Sequence, residues 1–250
     1  VLFRTAHLRP LAEYGRQTIR IPKEKRKGRR SWYKEHLTPG NLDAAVERAR
    51  ELLKVEPGLI ADLLWQGRER ALIYKVLALT GLRKGELASI ALGQLWLDEK
   101  HPFIELKAAD EKSARGSQIP LRKDLVDELR EFLAEKRRRS NRNVLSAKTK
   151  LFTIPRGLVG VFDRDIAAAG ISKHDDRGRS LDVHALRHTF GTHLSKAGVP
   201  PRVAQAAMRH SSLHLTMNIY TDPTLLDVAG AINALPSFAP ESATLANIGA

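Results

Sequence analysis

The 250-residue chain contains no cysteine. That excludes disulfides and thiolate metal sites, and it leaves the redox compartment open. Nowhere is there an apolar run of about eighteen residues, the length a membrane-spanning helix needs. The apolar stretch at the N-terminus is short and is broken by Arg4, so it does not read as a secretory signal. The initial methionine is missing too, and a fragment or processed chain is expected. Acidic residues are scarce relative to basic ones: Asp+Glu 28 against Lys+Arg 42, a formal net charge of +14. Such an excess points to a polyanionic partner, of which nucleic acid is the usual one. A basic protein with no such partner is the competing reading.

The length allows one large domain or two small ones. Residues 1–40 have weak periodicity. Lys23 to Arg30 form a basic cluster with Trp32 and Tyr33 close behind. In it, Lys25 and Arg26 could track a phosphate backbone, or the cluster could be a solvated linker. Leu42, Ala45, Val46, Ala49, Leu52 and Leu53 then make a helical stripe, which Pro57-Gly58 is expected to end. From about Arg68 to Thr80, apolar residues cover most of a helix circumference, the mark of a buried central helix. Between 94 and 121 the period shifts to that of short strands, at 95–98, 103–106 and 118–121. Helices are expected again after Asp124, from about Leu158 to Gly170, and through 183–197. The first of these runs into a second basic cluster, 136–142.

The stretch Leu181 to Tyr220 organises the rest. Val183, Leu186, Phe190 and Leu194 recur at helical spacing, and His184 and Arg187 sit three apart on one face. Gly198 is a stop signal and Pro200-Pro201 can open the next helix. His210 follows, and Tyr220 comes ten positions after it. Upstream, Arg83 lies just past Gly81, with Glu86 three residues on to orient it. A guanidinium grips a phosphate with two parallel hydrogen bonds, which lysine cannot do. Taken singly these residues have ordinary readings: Arg83 and Glu86 as a surface pair, Tyr220 as a half-buried core tyrosine, His184 and His188 as two zinc ligands. For zinc hydrolysis the residues between the histidines supply no glutamate base, and Arg187 would repel a dication.

Together, Thr80-Gly81-Leu82-Arg83-Lys84-Gly85-Glu86-Leu87, Lys112, His184-Ala185-Leu186-Arg187-His188-Thr189-Phe190, His210 and Tyr220 resemble the tyrosine recombinase (phage integrase) family. The resemblance implies an α+β, mostly helical catalytic domain with a small antiparallel three-stranded sheet. It implies Arg83 and Arg187 as phosphate clamps, His184 assisting proton movement, and His210 holding a non-bridging oxygen. Tyr220 would be the nucleophile that forms a 3′-phosphotyrosine link, with neither metal nor ATP and no cofactor. A hairpin lysine would protonate the leaving 5′ oxygen. Counting back from Pro120 gives Lys112, with Lys107 and Arg115 as competitors. Lys84, Arg115 and Arg209 join Lys25 and Arg26 as candidate DNA contacts. Arg209 stands where the family commonly has Gly.

The implied partner is double-stranded DNA, with a homotetramer on paired sites, no membrane, and the nucleoid of a bacterial cytoplasm as location. The implied organisation is a linker or remnant of a core-binding domain over 1–40, a catalytic domain over 41–235, and a flexible tail over 236–250. A type IB topoisomerase shares this residue logic, and a member that binds DNA without cutting is the other alternative.

Overall fold

A computed structural model describes residues 1–20, 32–111, 114–140, 144–176, 178–214, 216 and 228–234. It is mainly helical. The elements in order are α1 (Leu2–Gly15), β1 (Thr18–Arg20), β2 (Trp32–Lys34), α2 (Leu42–Leu52), α3 (Pro57–Thr80) and α4 (Lys84–Ser89). There follow β3 (Leu95–Trp96), β4 (Phe103–Leu106), β5 (Ser117–Pro120), α5 (Lys123–Arg139), α6 (Leu158–Ala168), α7 (Ala185–Lys196), α8 (Pro201–Met208) and α9 (Val228–Asn233). Among the described residues no helix is long and apolar enough to cross a membrane.

The 24-residue α3 is the spine. Ala71, Leu72, Ile73, Tyr74, Val76, Leu77 and Ala78 form a nearly continuous buried run, so this helix has core on several sides. Phe132 of α5, Phe162 of α6 and Leu186 of α7 belong to the same core. Trp65 stacks on Phe132 at 4.6 Å between ring centroids. Pro57 does not end the preceding helix, as its sequence position implied. It sits at the first position of α3, where its missing N–H costs nothing and its fixed φ is already helical. The three strands expected between 94 and 121 form an antiparallel sheet in the order β3-β4-β5, with Ile104 opposite both Leu95 and Ile119. Ile104 and Ile119 enter the core while Glu105 and Gln118 face out, the alternation that period two demands.

Weak periodicity over 1–40 gave no hint of α1, which is nonetheless packed. Ala6, Leu11 and Ala12 are fully buried, and Leu11 and Ala12 meet Leu42, Ala45, Val46 and Ala49 of α2 in a second apolar cluster. Contact with α3 depends on Gly67, where any Cβ would stand 1.8 Å from the carbonyl oxygen of His7. A mid-helix glycine costs about 1 kcal/mol relative to alanine, and here it admits a neighbouring backbone that alanine would push away. β1 and β2 pair antiparallel, Thr18 with Lys34 and Arg20 with Trp32. Lys25 and Arg26 belong to the connection between them and lie outside the described residues.

A buried polar cluster fastens α1 to this body. Asp165 of α6 is fully enclosed, accepts from Arg9 Nε and from the Tyr74 hydroxyl at 2.7 Å, and lies 3.6 Å from Arg70. Arg9 also donates to Glu13 at 2.8 Å. Burial, and then the charge and hydrogen bond of Asp165, push the Tyr74 phenol above its ordinary range, so Tyr74 remains a donor. Removing Asp165 would take the buried counter-charge from Arg70 and leave Arg9 with Glu13 alone. Asp165→Ala is therefore expected to lower the free energy of unfolding by about 3–5 kcal/mol, the usual cost of breaking a buried ion pair. Urea titration followed by circular dichroism measures this; a loss below about 1 kcal/mol would show that water already reaches the cluster.

Candidate active site

Three separated sequence motifs meet at the turn that ends α3. Gly81 adopts φ 62°, the left-handed conformation that glycine reaches without strain, and stops the helix. A Cβ there would also lie 2.5 Å from Cδ1 of Phe190 on α7, so the turn and α7 are in close contact. The chain then restarts as α4, with Arg83 at its N-cap and Glu86 one turn in. Glu86 accepts from the Arg83 amide at 2.9 Å and from the Arg83 guanidinium at 2.6 Å. Glu86 is buried, while Arg83 keeps about a third of its side chain exposed. Burial raises the Glu86 pKa, but the two Arg83 hydrogen bonds and the charges of Arg209 and Arg83 outweigh it, and the carboxyl is held below its ordinary value. The orienting role that its spacing gave Glu86 matches this geometry.

α7 begins where Asp182 accepts hydrogen bonds from the amides of His184, at 2.8 Å, and Ala185, at 3.1 Å. An acidic group here satisfies donors that a helix start leaves open. Val183 and Leu186 turn into the core, which fixes the rotation of the helix and carries Arg187 inward. Arg187 is the largest fully buried side chain of the structure. It donates to the carbonyl oxygens of Gly81 and Met208 and so ties the end of α3 to the end of α8. His184 is exposed, and its ring meets that of His188 edge to face at 5.2 Å. Both imidazoles are held below the usual histidine range, by burial first. For His184 the charge of Arg187 comes next, and for His188 that of His184. Among the described residues no group of three or more His, Asp or Glu is arranged to hold a metal ion.

His210 follows α8. Its Nδ1 lies 3.0 Å from the Thr216 hydroxyl, and its amide and carbonyl both bond Gln205. Burial and then the charges of Arg187, Arg83 and Arg209 lower its pKa to about 4. Burial thus acts first on His210, and the charges of arginines from three motifs act in the same direction.

The candidate DNA contacts divide. Lys84 and Arg115 are exposed, as a backbone contact requires. Arg209 is a correction to the sequence reading. Its side chain is 8% exposed and points inward, donating to Glu86 at 3.0 Å and to the Gly81 carbonyl at 3.2 Å. The guanidinium is thus committed to Glu86 and the Gly81 carbonyl, which is local packing and not the exposed placement that a backbone contact requires. Lys112 and Tyr220 lie outside the described residues; Lys107 is exposed at the start of the β4–β5 connection. Two partners escaped sequence reasoning. Thr216 has no local signal. Asp182 has one, an acidic residue two positions ahead of a periodic helix.

The fold defines the class. The crystal structure of XerA recombinase superposes with a TM-score of 0.52 at 21% identity, covering 68% of this chain and 58% of that one. The model of the phage integrase family matches residues 65–225, and the chain belongs to that family. The tyrosine recombinase XerC of Pelotomaculum thermopropionicum is 34% identical over 166 residues, covering 63% of this chain and 50% of that protein. The tyrosine recombinase XerA of Thermococcus kodakarensis is 29% identical over 196 residues, covering 76% of this chain and 64% of that protein. This chain thus spans about half to two thirds of the length of these relatives.

The sign of the His210 shift fixes a pH dependence. A free imidazole titrates near 6.5 and this one near 4. Between those values the unfolded chain takes up a proton that the folded chain refuses. The contribution is therefore full above about pH 6.5 and is lost as the pH falls toward 4. A proton-detected titration should show the His210 ring uncharged until near pH 4. A midpoint near 6.5 would mean that neither burial nor the arginine charges act on the ring.

Proposed function

We propose that this chain is the catalytic part of a site-specific DNA recombinase or integrase. It cleaves and rejoins strands of double-stranded DNA through a 3′-phosphotyrosine intermediate, without metal or ATP. The observation that supports this most strongly is the meeting of Arg83, Arg187 and His210 at the Gly81 turn, although Gly81 and Arg187 are 106 residues apart in sequence. Converging guanidiniums suit a phosphodiester, whose negative charge grows in a pentacoordinate transition state.

In this proposal Arg83 is the solvent-facing clamp, held by Glu86, and Arg187 is the buried one. In the tautomer whose Nδ1 accepts from the Thr216 hydroxyl, His210 carries its proton on Nε2 and can donate to a non-bridging oxygen. His184, kept largely neutral, can take the proton of the attacking phenol. The Tyr220 oxygen bonds to phosphorus, the P–O5′ bond breaks, and a hairpin cation, assigned to Lys112, protonates the leaving oxygen. One phosphoester replaces another, which is why no outside energy is required. Lys84 and Arg115 lie along the backbone, with Lys25 and Arg26 as further contacts.

The catalytic body spans 41–235 in this reading, and residues 1–40, with α1 packed on it, are the linker or remnant of a core-binding domain. Four copies on paired DNA sites in the bacterial nucleoid belong to the same proposal. The helix α9, whose Ile232 is exposed, either packs within its own chain or docks in trans, where an apolar groove of about 850 Å3 lined by Leu79, Ile119, Phe190 and Val203 would receive it from a neighbouring copy.

A nicked duplex that loses its cleaved piece traps the intermediate. Drawn from a random pool or from mobile-element ends, it should give a protein–DNA adduct on a denaturing gel with the intact chain and none with Tyr220→Phe. Arg187→Ala should lower adduct formation by at least about a hundredfold, the scale on which removing one transition-state donor acts. An adduct that survives Tyr220→Phe would remove Tyr220 from the site. Relaxation of supercoiled plasmid without strand exchange would favour a topoisomerase, and tight binding with no adduct a non-cutting DNA-binding member.

A further inference from the structure

Arg209 occupies an unfavourable backbone position. It ends α8 at φ 54° and ψ 42°, the left-handed conformation that favours glycine. For a residue with a Cβ that costs about 1 kcal/mol. Its guanidinium then gives up water to enter the site, and burial lowers its pKa, with Glu86 and Glu111 opposing that shift. Two costs at one residue call for a compensating contact, and the contacts are specific. On one side Arg209 holds Glu86, the carboxylate that orients Arg83. On the other, its Nε stands 3.6 Å from Oε1 of Glu111.

Glu111 lies at the root of the β4–β5 turn. It is 6% exposed, and its Oε1 accepts from the Ser117 hydroxyl at the start of β5 at 2.8 Å. Arg209 Nε and Glu111 Oε2 are both buried without a hydrogen-bond partner. At 3.6 Å the two groups attract but do not bond, and an approach of a few tenths of an ångström would complete the contact. Residue 112 follows directly in the chain. A continuous line of charge therefore runs from Arg83 through Glu86 and Arg209 to Glu111, from the phosphate clamp to the turn that carries the proposed general acid.

We propose that Arg209 is a positioning residue that couples the β4–β5 turn to the arginine clamp through Glu86 and Glu111, so that the hairpin cation is set for the leaving oxygen. This rests on the catalytic reading above. It concerns one half-reaction only: the P–O5′ bond breaks and the hairpin cation gives its proton to O5′. A leaving atom that needs no proton makes the link dispensable.

The experiment uses a duplex recovered from the random pool by adduct formation with the full chain. It is made in two forms, with oxygen or with sulfur at the scissile 5′ position; sulfur departs as a thiolate unaided. Arg209→Gly suits a left-handed position, and Glu111→Gln keeps shape while removing charge, so either fold can stand as a check on the other; thermal unfolding confirms both. Glu111→Gln, which leaves the Arg209–Glu86 contact and the clamp in place, is expected to slow adduct formation about tenfold or more on oxygen and less than about twofold on sulfur, the signature of impaired general-acid catalysis; Arg209→Gly, which also loses its bond to Glu86, is expected to slow the oxygen form at least about fivefold more than the sulfur form. Equal slowing on both forms would mean a structural role and overturn the inference, as would unchanged rates on both. If the intact chain yields no adduct with any duplex, the catalytic reading fails first and this one falls with it.

Discussion

The structure depends on a buried guanidinium. Arg187 sits in the core with one N–H of each terminal nitrogen donating to the Gly81 and Met208 carbonyls, and a charge so placed would be costly if those acceptors moved. The ends of α3 and α8 are therefore held where Arg187 needs them. Hydrogen bonds to a charged donor contribute about 1.5–3 kcal/mol each, enough to fix the relative position of two helix ends. Positioning the site and closing the fold are here the same event.

The Gly81 turn is the common acceptor. Its carbonyl serves Arg187 and Arg209, its Cα lies against Phe190, and the next residues cap α4 with Arg83. The left-handed turn exposes a carbonyl that a continuing helix would have consumed. Glycine is required there twice over, for its φ and for its lack of a Cβ. Glu86 is the counterweight that keeps two arginines apart and ordered; it accepts from both. Positive charge remains there, and after burial it is the charges of Arg187, Arg83 and Arg209 that lower the His210 pKa.

Much of this was legible in the sequence because it depends on period and spacing. The buried circumference of α3, the stop at Gly81, the i,i+3 pair of Arg83 and Glu86 and the shift to strand period between 94 and 121 are local properties, and each reappears in the structure. What was illegible depends on partners distant in the chain. The helix α1 has weak periodicity because it contacts α2, α3 and α6 on different sides, and its attachment through Arg9 and Asp165 spans 156 residues. Arg209 looked like a surface cation since nothing nearby in sequence shows that Glu86 and Glu111 await it. Pro57 was read as an end and is a beginning, because a proline is equally suited to the residue after one helix and the first residue of the next.

The two buried charge clusters illustrate how structural and functional burial differ. At Asp165 an enclosed carboxylate is met by Arg9, Arg70 and the Tyr74 hydroxyl. The Tyr74 phenol is pushed up, so that cluster holds its proton and offers an anion nothing. At the Gly81 turn the guanidiniums are met in good part by carbonyl dipoles, which satisfy hydrogen bonds without cancelling charge. The imidazole there is pushed down. Burial is the first cause of both shifts and favours the neutral form of each group, which moves a phenol up and an imidazole down; the neighbouring charges add to it with opposite sign, Asp165 at the first site and arginines at the second. The first arrangement locks helices together. The second keeps positive charge in place beside solvent through the exposed part of Arg83, and a phosphodiester is the kind of group that would relieve it.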